Sequence, residues 1–152
     1  MINSRELRIG NYVLFDKQVL MVKGVAEDSV LLGGVVFENP YEYPPISVTD
    51  DRIQPIPMLD EILQKVRTRI PIVRGHAYKY YGNRVTFLIY EDEEGYFIGL
   101  DNQGQIIHIT PRHIESLHQL QNIYFAQYGE EMDINERILT RCVQNAVDDG
   151  II

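Results

Sequence analysis

The chain has no tryptophan and a single cysteine. One thiol, Cys142, cannot close an internal disulfide or supply a cysteine-based zinc site. That favours a reducing, cytoplasmic setting, where disulfides are rare. Long apolar runs are missing as well. No stretch approaches the roughly 20 residues that span a bilayer, and the opening Met1-Ile-Asn-Ser-Arg-Glu-Leu-Arg8 lacks the apolar centre of a secretion signal. No membrane partner is expected. The motifs of common catalytic sites are also absent. There is no Gly-x-Ser-x-Gly elbow for a serine nucleophile. No Gly-x-Gly-x-x-Gly occurs, and Gly33-Gly34 is not followed by Lys-Ser or Lys-Thr, so no phosphate loop is formed. The four histidines, His76, His108, His113 and His118, never pair as His-Glu-x-x-His. Neither a metal nor a cofactor is expected, and the balance leans away from an enzyme. Catalytic groups can converge from distant positions, so small-hydrolase chemistry through His108 or His118 stays as a remote alternative. His108-Ile-Thr110 is half of a two-histidine phosphoesterase pattern whose second copy is missing.

Other features argue for a folded protein. Of 152 residues, 45% are apolar and 24% charged, a normal globular balance. Ten tyrosines favour strands and amphipathic surfaces. In the first third, short apolar runs alternate with turn residues. Tyr12 to Phe15, Val19 to Val25, Val30 to Leu32 and Val35 to Glu38 read as strands. Asp16-Lys17, Ala26 to Ser29 and Gly33-Gly34 read as the breaks between them. Val19 to Val22 is apolar on both faces. The prolines 40, 44 and 45 make a loop, and Ser47 to Ile53 returns as a strand. Short strands at this spacing predict an SH3-like small β-barrel lobe over residues 1–54.

Residues 55–152 predict a second, α+β lobe. A linking helix runs from Met58 to about Arg67 on the spacing of Leu59, Ile62, Leu63 and Val66. Arg84 to Tyr90, Tyr96 to Leu100 and Gln105 to Ile109 predict a three-stranded antiparallel β-meander. Its turn Glu91 to Gly95 is acidic but lacks the alternating oxygens of a calcium loop. One or two C-terminal helices follow. The first spans His113 to Gly129. The second runs from about Ile134 to Val147, with Asp133 and Glu136 as a capping box. Cys142 falls on the apolar side of the second, where an inert buried thiol is expected.

Two groups of residues are candidate sites. Between Ile62 and Tyr90 there is no acidic residue. The cations Lys65, Arg67, Arg69, Arg74, Lys79 and Arg84 give that run a net +6, so the rest of the −8 chain carries −14. His76, Tyr78, Tyr80 and Tyr81 are interleaved with them. Cations meet phosphates and rings stack on bases, so the segment is a candidate nucleotide or single-stranded nucleic-acid site. The alternative is a solvated connection, since the overall charge opposes polyanions. The second group is His118, Gln121 and Asn122 on the first C-terminal helix. Gln121 falls inside the apolar arc of Ile114, Leu117, Leu120, Tyr124, Phe125 and Tyr128, where an amide needs partners. Either it bonds strand backbone or a tyrosine hydroxyl, or the three form a polar patch toward a ligand.

Three stretches carry a family resemblance. Ser116-Leu-His-Gln-Leu-Gln-Asn-Ile-Tyr-Phe-Ala-Gln-Tyr-Gly-Glu-Glu131 resembles the closing segment of a family of uncharacterised small proteins from Bacteroidetes and their phages or prophages. Glu6 to Val13 and Ile53 to Leu63 are similar to its other two recurrent segments, in the same order. The resemblance implies a cytoplasmic protein with a phage or mobile-element role, and it brings no catalytic residues with it. The stretch from Arg67 to Asn83 and the helix after Met132 depart from the family's pattern. Together these readings point to a non-enzymatic binding or adaptor protein, with an unknown protein partner or a second copy of itself as a homodimer.

Overall fold

In a computed structural model, residues 2–34, 45–65, 72–74, 86–102, 105–109 and 113–152 are described. The fold is α+β. It divides into two units, residues 1–68 with 116–152, and residues 69–115.

The first unit is built on a curled, antiparallel half-barrel sheet of five strands. Strands β1 (Tyr12–Phe15), β2 (Gln18–Val25), β3 (Ser29–Gly34), β4 (Ile46–Thr49) and β5 (Ile53–Gln54) lie in the order β4-β3-β2-β1-β5. A 3-10 turn, Asp50–Arg52, separates β4 from β5. It carries the chain from the edge beside β3 to the edge beside β1, so the expected return strand is split in two. Residues at alternate positions supply the inner face: Val13, Val22, Val30, Leu32, Val48 and Ile53 cluster with Ile2 and Leu7. Such period-two burial is what one covered sheet face requires.

Tyr12, Leu14 and Val19 are buried on the other face. Helices α2 (Leu117–Tyr128) and α3 (Glu136–Asp148) lie against β1 and β2 there. This is why Val19 to Val22 reads as apolar on both sides. Helix α1 (Asp60–Lys65) packs on α3, and the Cys142 thiol is buried 3.9 Å from the Glu61 carbonyl. Burial raises that thiol's pKa, so it stays protonated and unreactive.

The second unit holds a four-stranded sheet, β6 (Ile72–Arg74), β7 (Thr86–Glu91), β8 (Tyr96–Asn102) and β9 (Gln105–His108), in that order. Strands β7 to β9 are antiparallel neighbours and β6 pairs in parallel with β7. Leu88, Ile89, Phe97 and Ile98 are buried. Asp92 organises the β7–β8 turn by accepting from the N–H groups of Glu94 and Gly95 at 2.8 and 3.0 Å.

Three expectations are corrected. Gly33 and Gly34 do not break a strand; they pair with Met21 and Leu20 inside the β2–β3 ladder. The Lys23 side chain lies across Gly33, so close that a Cβ there would meet its methylenes at 2.8 Å. The expected fourth strand, residues 35–38, lies outside the described residues. Helix α2 begins at Leu117, not His113. Ile114 has helical spacing, but its N–H donates to the Tyr96 carbonyl at 2.7 Å, which ties residues 113–115 to the second sheet. Ser116 is the N-cap, and its N–H donates to the Gln119 side chain at 3.3 Å. Helix α3 is capped by Asn135 instead of Asp133: the Asn135 Oδ1 accepts from the Ile138 N–H at 3.1 Å.

Candidate functional site

Of the two candidate groups, the polar trio on α2 lies wholly within the described residues. Leu117, Leu120 and Gln121 are all buried. Gln121 is 1% exposed. Its Oε1 accepts from the Tyr12 N–H at 2.9 Å, and its Nε2 donates to the Gly10 carbonyl at 3.1 Å. Asn122 donates to the Glu6 carbonyl at 2.9 Å and accepts from the Asn11 side chain at 2.8 Å. The Asn11 Oδ1 in turn accepts from the Arg8 N–H at 2.8 Å. The two amides therefore fasten the loop from Glu6 to Tyr12 onto α2. Arg8 completes the seam. Its guanidinium forks the Glu131 carboxylate, with one contact at 3.0 Å, and lies 4.1 Å above the Phe125 ring. Tyr12 donates its hydroxyl to Glu136 at 2.8 Å, and burial, with that carboxylate, raises its pKa and keeps the phenol protonated.

His118 is different. It is 2% exposed, and neither ring nitrogen has a hydrogen-bond partner among the described residues. Its nearest charge is the Glu6 carboxylate, 3.8 Å from Nε2. Burial lowers its pKa; Glu6 opposes that and only partly offsets it. A buried imidazole held neutral is poorly placed for proton transfer to a substrate. So the geometry gives Gln121 and Asn122 a fastening role and leaves His118 buried beside them.

Little of the basic segment is within the described residues. Lys65 ends α1, where its ammonium meets Glu61 at 2.9 Å one turn earlier. The backbone of Arg74 lies in β6. Arg67, Arg69, His76, Tyr78, Lys79, Tyr80, Tyr81 and Arg84 lie outside the described residues. His108 ends β9. His113 sets Nε2 at 3.0 and 3.1 Å from the two Asp92 oxygens, and this contact lowers the Asp92 pKa.

A feature the sequence reading did not single out lies on the first unit. An open groove of about 470 Å³ runs beside the β1–β2 turn and the end of β5. Leu14, Pro55, Pro57 and Ile151 give it apolar walls, and Asp16, Lys17, Arg52 and Gln54 give it polar ones. Arg52 is held in place: its guanidinium lies 4.7 Å above the Phe15 ring and 3.7 Å from the Asp16 carboxylate. Asp16 and Lys17 form the two-residue hairpin loop, since Phe15 pairs with Gln18. Both have positive φ, 48° and 63°. Such loops favour Asn-Gly or Asp-Gly. Lysine in the glycine position was the legible signal, because a strained residue at a turn is worth testing for function.

Among the described residues no three His, Cys, Asp or Glu side chains gather to hold a metal ion. None of the described helices is long and apolar enough to cross a membrane. Comparison with protein-family models, with curated proteins and with solved structures finds no match for the chain.

Proposed function

We propose that this protein is a non-enzymatic binding protein, an adaptor of phage or mobile-element type, and that its first sheet is an SH3-like barrel presenting the binding site. The strand order β4-β3-β2-β1-β5 with a 3-10 turn before the last strand supports the barrel reading. The observation that carries the binding reading is the groove beside the Asp16-Lys17 turn. It combines an apolar wall with a few fixed polar groups, the usual make-up of a recognition site. The test is selection of a random peptide library against the immobilised protein, followed by amide-resonance mapping of the enriched peptides. Shifts centred on Leu14, Lys17 and Arg52 are expected. Enriched peptides that map elsewhere, or no enrichment, would overturn the reading.

The basic run supports a second reading, binding of a nucleotide or single-stranded nucleic acid through residues 65–84. Its six cations stand without any acidic residue among them, and salt-sensitive phosphate contacts would follow. Reversing the charge of Arg67, Arg69 and Arg74 abolishes single-strand binding on this reading. Binding that survives with the same salt dependence removes it.

A further inference from the structure

We draw no further inference here: the strongest candidate, the exposed surface patch of Phe125 and Tyr128 at the C-terminal end of α2, carries nothing because nothing in the structure shows what covers it.

Discussion

Gln121 shows how much one side chain can decide. Its position inside an apolar arc was readable from helical spacing alone, and so was its need for partners. The partners themselves were not readable, because Tyr12 and Gly10 lie more than 100 positions away in the chain. No local pattern encodes which loop will lie against a helix. Leucine at this position would leave the buried Tyr12 N–H and the half-buried Gly10 carbonyl without these partners. Gln121→Leu should therefore destabilise the protein by about 2–4 kcal/mol, read as a lower urea midpoint at unchanged slope. A change below about 0.5 kcal/mol would refute the fastening role.

His118 makes the opposite case on the same helix. It is buried with no hydrogen-bond partner among the described residues. Burial lowers its pKa below the ordinary 6.5. The unfolded chain then binds the proton more readily than the folded one as pH falls. The His118 contribution is fully present above about pH 6.5 and is lost as pH falls from there through the folded pKa. The approach of Glu6 limits the loss, since it would pair with a protonated ring. Urea unfolding at pH 7.5 and 5.5 should show the wild type losing more stability than His118→Leu across that interval. The same slope in both proteins would show that His118 takes no part.

At the scale of elements, the strands were legible where turn chemistry and apolar alternation agreed, as in β1, β2 and the start of β3. The reading failed where a distant side chain changed the local rule. Gly33 and Gly34 stay in the β2–β3 ladder, with the Lys23 side chain lying over Gly33. The second sheet claims Ile114, so a residue at helical spacing is not in the helix. The Ser116-x-x-Gln119 capping signature was present in the sequence and marks the true start of α2. The groove was the hardest part to see. It is assembled from the β1–β2 turn, the 3-10 turn, the Pro55-to-Pro57 stretch and the residues after α3, which no single segment announces. Its turn offers a sharp test. At φ 63° Lys17 bears a left-handed cost of about 1 kcal/mol or more, part of which a glycine would give back through its freer unfolded chain. Lys17→Gly should therefore raise stability by about 0.5 kcal/mol while weakening binding of the library-selected peptides. A variant that gained both stability and affinity would separate the strained turn from the binding site.

For the molecule as a whole, the chain leaves its first unit after residue 68 and returns to it at Ser116. The return is fixed by contacts across the full sequence. Leu117 donates its N–H to the Ile56 carbonyl at 2.8 Å, Gln121 and Asn122 hold the loop before β1, and Glu131 holds Arg8. Two stretches far apart in the chain, Glu6 to Val13 and Ser116 to Glu131, therefore meet in one seam. The inner cluster of the half-barrel, Ile2 to Ile53, lies wholly inside this unit. So do α2 and α3, which lie against β1 and β2 on the other side of the sheet, and α1, which packs on α3. A unit with its own core and its own hydrogen-bonded seam has what independent folding requires. Replacing residues 69–115 by a flexible Gly/Ser linker should leave the first unit folded, with a single cooperative urea transition. The response to library-selected peptides at Lys17 and Arg52 should persist in that shortened chain, because every residue lining the groove belongs to the part retained. A shortened chain that unfolds without cooperativity would mean that residues 69–115 complete the core of the first unit. Retained folding with a lost peptide response would mean instead that the inserted unit takes part in recognition.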